Sequence, residues 1–202
     1  MNKTIKIIIA IIAILLIGAV VVLVLPTKNE ENLPDSNSAQ VLQASSADDL
    51  VAMVDKIYEG MQGQLPSLAT DIIEVSDADM VNSFTGLENG EELEYLVVSQ
   101  PLMSSQAYTL VLAKVKTGVD ANSVAKKMCE QVNTRRWICV EAEKVNATNA
   151  GDILCMIMTN TDTADKVYSN FKKLAGQIGE EYTRQAEEIE LPEEMLAPTE
   201  VQ

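Results

Sequence analysis

The sequence predicts an α+β domain whose antiparallel sheet of about four strands carries its helices on one face, preceded by a single transmembrane helix. Three observations predict it. Residues 7–25 are an unbroken apolar run, two β-rich runs and a helix-period stretch follow one another between 94 and 132, and that strand-strand-helix order returns between 137 and 178. Strands joined by short loops pair antiparallel, and amphipathic helices must bury their apolar stripe against such a sheet.

Ile7 to Leu25 reads IIIAIIAILLIGAVVVLVL, 19 residues without a charge. As a helix it would be about 28 Å long, close to the roughly 30 Å of a bilayer's hydrocarbon core. The run is longer than a secretory signal's apolar segment and ends in Val24-Leu25-Pro26 rather than at small residues, so it reads as an uncleaved signal-anchor. Lys3 and Lys6 precede it with no acid between them, whereas Lys28 is followed by Glu30 and Glu31. The positive-inside rule then keeps residues 1–6 in the cytoplasm and sends the C-terminal domain out of the cell. Residues 26–45 are rich in Asn, Ser, Glu and Pro with no apolar period, the composition of a flexible linker.

The extracytoplasmic α+β domain is expected over residues 46–179. Ser46, with Asp49 three residues on, makes a capping-box pair, and Leu50, Met53, Val54, Ile57, Tyr58 and Met61 follow at helical spacing. Residues 71–75 (DIIEV) read as a short extended piece, Ser76–Asp79 as the cap of a short helix reaching Phe84, and Gly86 as its stop. Glu94–Ser99 and Tyr108–Lys116 are β-rich runs around the loop Gln100–Gln106. A helix capped by Asp120 carries Val124, Met128 and Val132 on one face. Trp137–Val145 and Ile153–Thr159 are again β-rich, joined by the turn-forming Asn146–Asp152. The last helix starts from Thr161 and sets Ala164, Val167, Tyr168, Phe171, Leu174 and Ile178 inward. Residues 180–202, with eight Glu and one Arg, read as an acidic, disordered tail.

Composition excludes several chemistries. A net charge of −15 repels nucleic-acid phosphates. There is no histidine, which removes Ser-His-Asp and Cys-His catalysis and the commonest zinc ligand. Cys129, Cys139 and Cys155 lie far apart without a C-x-x-C pair and read as small buried hydrophobes.

What remains is weighed residue by residue. Ser169-Asn170-Phe171-Lys172 and Lys116-Thr117-Gly118 match fragments of penicillin-recognising enzymes, but in reversed order and without an S-D-N element. Asp77 with Asp79, and Asp162 with Asp165, stand where helix caps are expected and lack the spacing of a calcium loop, so no metal or cofactor site is assigned. Lys126, Lys127, Arg135, Arg136, Lys172 and Lys173 are a candidate anion-binding patch for a wall polymer or lipid headgroup, with Trp137 beside them. The loop Pro101-Leu102-Met103-Ser104-Ser105 joins two strands, and loops on rigid scaffolds often carry function. Asn146-Ala147-Thr148 fits a glycosylation sequon and reads as a turn.

The opening amphipathic stretch ADDLVAMVDKIYEGM, the run YLVVSQPLMSSQAYTLVLAKVKTGVDANSVAKKM and the closing ILCMIMTNTDTADKVYSNFKKL resemble a family of uncharacterised extracytoplasmic domains in Firmicutes lipoproteins and membrane-anchored proteins. The resemblance covers about residues 47–176 and implies a fold and a location, the bacterial cell envelope, but no chemistry. The expectation is therefore a non-enzymatic binding module in the cell membrane, anchored by residues 7–25 and acting on an envelope protein or an anionic wall polymer. Two rivals are a carboxylate-dependent envelope hydrolase or lyase using acids such as Glu141, Glu143 and Asp152, and an accessory subunit of a membrane complex.

Overall fold

A computed structural model describes residues 42–186; the apolar run 7–25, most of the linker and the tail beyond Ala186 lie outside the described residues. No helix among the described residues is long and apolar enough to cross a membrane.

Helix α1 (Ala47–Ile57) begins at the capping box read from the sequence. Asp49 N donates to Ser46 Oγ at 3.3 Å, and Ser46 N donates back to the Asp49 carboxylate at 3.0 Å. Its stripe of Leu50, Met53, Val54 and Ile57 is buried. Strand β1 (Leu68–Ile73) comes next, then α2 (Ala78–Thr85), capped by Asp77 and ended by Gly86 at φ 75°. Strands β2 (Leu93–Pro101) and β3 (Thr109–Val115) form a hairpin, and α3 (Ala121–Gln131) starts at Asp120. Strands β4 (Lys144–Ala150) and β5 (Ile153–Thr159) form a second, tighter hairpin. Helix α4 (Thr161–Ala175) is capped by Asn160, one residue before the expected Thr161, and β6 (Tyr182–Gln185) closes the described chain.

The strands form one sheet in the order β1-β2-β3-β5-β4-β6, with every neighbour antiparallel. The mixed α+β class and the antiparallel sheet agree with the sequence reading, but two finer expectations are corrected. The sheet has six strands, not about four. Its helices cover both faces, not one: α2 and α3 pack on Leu96, Val98, Val111, Leu154 and Met156, while α1 and α4 pack on Val97, Leu110, Leu112, Cys155 and Ile157. The physical reason lies in the central strands. All seven residues of β5 are buried, and six of seven in β3, so neither strand has a polar face to show to water.

The two strand-strand-helix units are consequently not copies of one structure. β3 and β5 are antiparallel neighbours, and the two-fold axis that exchanges such strands runs normal to the sheet. It would leave both helices on one face, whereas α3 and α4 lie on opposite faces.

Two strands arise where turn-like composition points elsewhere. β4 occupies Lys144–Ala150, where a turn over Asn146–Asp152 was expected, and only its first two residues overlap the expected strand Trp137–Val145. Asn146 and Thr148 are satisfied there: Asn146 Nδ2 donates to Asp165 at 3.1 Å, Thr183 Oγ1 donates to Asn146 Oδ1 at 2.9 Å, and Thr148 Oγ1 donates to Glu180 O at 2.8 Å; Asn149 Nδ2 donates to Gly151 O, while its Oδ1 has no partner among the described residues. These bonds remove the penalty of burying the bonded groups. The sequon at Asn146 is thus inside the sheet, its side chain buried and bonded. β6 lies within the stretch read as an acidic tail and pairs with β4 along Ala147 to Lys144, so the sheet extends to Gln185.

Candidate functional site

The candidate site is built at one end of the sheet, where the β2–β3 hairpin turns, β5 hands over to α4, and the irregular segment 132–143 leads from α3 to β4. Three large apolar side chains are exposed there: Leu102 (71%) and Met103 (66%) in the hairpin loop, and Ile138 (68%) in the irregular segment. Their two loops are tied by a backbone bond from Ile138 N to Ser104 O at 3.3 Å. Cys139 follows at φ 59° with its thiol exposed, unlike buried Cys129 and Cys155. The expectation that all three cysteines are buried therefore fails at Cys139, because its segment leaves the core instead of forming a strand. Burial pushes the Cys129 thiol up to about 11 and holds the Cys155 thiol well above the ordinary range.

Beside the apolar tips lies a cleft of about 530 Å³, lined by Gly63–Pro66, Gln106–Tyr108, Val140, Glu141, Thr159, Asn160 and Thr163. Its floor includes Tyr108, whose hydroxyl is bonded to that of Tyr58 at 2.9 Å, with ring centroids 6.5 Å apart. Burial raises Tyr58 to about 12, so both phenols stay neutral at physiological pH and act only as hydrogen-bonding groups. The cleft's polar lining is made of amides, hydroxyls and one carboxylate. That carboxylate, Glu141, is occupied: Arg135 Nε donates to it at 2.7 Å and Thr134 Oγ1 at 3.0 Å. The Arg135 bond is the main reason its pKa lies below the usual value, the opposite of what a general acid requires.

The six cations of the candidate anion patch are not brought together. Lys126 and Lys127 lie on α3, with Arg135 and Arg136 just beyond it, whereas Lys172 and Lys173 lie on α4 across the sheet. Lys127 pairs with Glu92 at 3.1 Å, Arg135 with Glu141, and Lys172 with Glu181 at 2.9 Å; Lys126 reaches Glu130 only at 4.0 Å. Arg136 has its guanidinium 4.1 Å from the Phe84 ring centroid and 5.9 Å from that of Trp137, and burial lowers its pKa.

The other candidate groups are equally dispersed. Ser169 and Lys172 sit on α4, and Lys116-Thr117-Gly118 lies in the loop leading into α3 on the far face, so the two enzyme-like fragments do not meet. Asp77 caps α2, and Asp165 accepts from Lys144 at 2.7 Å and from Asn146. Among the described residues no three acidic or cysteine side chains gather as metal ligands. Glu143 and Asp152 are both exposed, at opposite ends of β4. The sequence reading pointed to the hairpin loop as a whole but not to Ile138; the signal it passed over was a large apolar residue in a segment without strand or helix pairing. No family model, curated protein or solved structure matches this chain.

Proposed function

We propose that the chain is a membrane-tethered, extracytoplasmic binding module that engages an envelope protein through the loop end of its sheet. One observation carries the reading: Leu102, Met103 and Ile138 are exposed on two loops distant in sequence that a backbone bond ties together at the end of the sheet that holds the 530 Å³ cleft. Three large apolar side chains left in water on adjoining loops serve stability poorly, and such surfaces mark contact sites. The dispersal of the lysines favours a protein over an anionic wall polymer, since a polymer of phosphates needs cations in a continuous track. Ile7–Leu25 supplies the tether in this reading, and the resemblance to extracytoplasmic Firmicutes domains accords with it.

The test is photo-crosslinking in cells, with a photoreactive amino acid replacing Met103 and, as control, Glu59. One discrete protein adduct from position 103, absent from position 59, is expected. No adduct above the control overturns the reading. Protease shaving of intact cells tests location: loss of the domain is expected, and its protection places it inside.

A further inference from the structure

The sheet ends at β1, whose outer edge carries no backbone hydrogen bond among the described residues. Leu102 N donates to Ser67 O at 3.0 Å, which fixes the alternation along this strand. Residues 67, 69, 71 and 73 turn their backbone groups to β2, so Leu68, Thr70 and Ile72 turn theirs outward. Such edges recruit further strands, and proteins commonly guard them with lysine, proline or a bulge. β1 has none of these: it reads LATDII and pairs with β2 without a register shift. Neither face closes the edge off. Ile72 is 49% exposed on the α1 and α4 side, opposite Val97, and Asp71 is exposed on the other side, opposite Val98.

The strand is complementary to itself in one register. Two copies of an edge meet antiparallel about a two-fold axis, with outward residues facing outward residues. Centred on Thr70, Leu68 of one copy meets Ile72 of the other and Thr70 meets Thr70, so every outward N–H and carbonyl of Leu68, Thr70 and Ile72 gains a partner. Apolar side chains then meet on one face around a Thr–Thr pair, and on the other face Asp71 meets Ala69. Moving the centre to Asp71 sets two carboxylates opposite each other and turns Leu68 against Glu74, outside the strand. Moving it to Ala69 sets Ile72 against Pro66, which has no N–H to give. Pairing like edges also closes the assembly at two copies, whereas β1 against β6 would leave free edges for more.

We propose that β1 docks on β1 of a second copy, joining the two sheets into one across Thr70. Leu68 of the second copy then covers the exposed Ile72.

Disulfide formation in membranes tests this in the full chain, with Cys139→Ser removing the one exposed thiol among the described residues. In this register Ala69 and Asp71 of the two copies form a non-hydrogen-bonded pair with Cα atoms about 4.5 Å apart, within the span of a disulfide. Like residues lie on the diagonal at about 7–8 Å, beyond that span. Ala69→Cys chains and Asp71→Cys chains, separately tagged and co-expressed, should therefore oxidise to a species of twice the 22.0 kDa chain that carries both tags. Each variant alone should stay unlinked. Thr70→Pro in both chains removes the central outward N–H, which β2 does not use, and should abolish the linked species with the urea midpoint unchanged. Thr70→Lys sets like charges across the axis with every N–H kept, should also abolish it, and decides the matter if the proline variant is unstable. The proposal is overturned by the absence of a mixed-tag species, by Asp71→Cys chains linking to one another, or by linkage that survives Thr70→Lys or a folded Thr70→Pro.

Discussion

Burial on both faces of the sheet can be tested at two neighbouring residues. Met156 and Ile157 are adjacent on β5 and fully buried, Met156 beneath α3 and Ile157 beneath α4. Truncating either to Ala removes three heavy atoms from a packed core and leaves a cavity that relaxes only in part. Such changes cost about 2–5 kcal/mol. Taking about 3 kcal/mol and a urea dependence of about 2 kcal/mol per molar, each variant should unfold at roughly 1.5 M less urea. With helices on one face only, one of the two side chains would point to solvent, and its truncation would cost about 0.5 kcal/mol or less, a shift near 0.25 M. The assay is urea unfolding followed by the fluorescence of Trp137, the single tryptophan, with far-ultraviolet circular dichroism as the check on two-state behaviour. A shift below about 0.3 M for either Met156→Ala or Ile157→Ala, with the other large, refutes the three-layer arrangement.

Three further predictions use the same unfolding measurement. Gly86 ends α2 at φ 75°, and a Cβ there would lie 2.4 Å from Val132 N, so Gly86→Ala should cost at least about 2 kcal/mol, a left-handed penalty of roughly 1–2 plus displacement of α3; Gly118→Ala, at φ 88° in open space, should cost only the first part. The Tyr58–Tyr108 hydroxyl bond should give a coupling of about 0.5–1.5 kcal/mol in a cycle of the two Tyr→Phe changes, and zero coupling would show that the bond does not stabilise the fold. Lys144 holds the Asp165 carboxyl below its ordinary 3.8, so its stabilising effect is complete above the unfolded pKa and lost as pH falls through the lower folded pKa; Asp165→Asn should flatten the fall in urea midpoint below about pH 4, and an unchanged slope would contradict the assignment.

Local signals carried most of the helices. Ser46, Asp77 and Asp120 are caps because a short oxygen-bearing side chain satisfies a free N–H at the first turn, and that logic needs no tertiary context. Gly86 stops α2 for an equally local reason. The β2–β3 hairpin was legible for the same cause. β4 was not: Asn146, Thr148 and Asn149 favour turns in isolation, and the bonds that hold them in a strand come from Asp165, Thr183, Glu180 and Gly151, all but the last far along the chain. β6 was hidden because its residues, YTRQ, lie inside an acidic run and gain a partner only when β4 becomes a strand.

The layer arrangement also decides where the candidate cations stand. With both long helices on one face, the lysines of α3 and α4 would share one surface. The unbroken run Ile153–Met158 already argued otherwise, because a strand with one wet face alternates and this one does not. Taking that run as buried on both sides separates Lys126 and Lys127 from Lys172 and Lys173, and leaves each helix's cations to nearby acids such as Glu92 and Glu181. The arginines then stand out as a different class. Arg135 is paired, but Arg136, stacked on Phe84, and Arg184, bonded to Val132 O, each keep a buried N–H group without an acceptor among the described residues. Burial, not the number of cations nearby, sets these two apart, and only the packing of Arg136 on α2 and of β6 beside α3 could single them out.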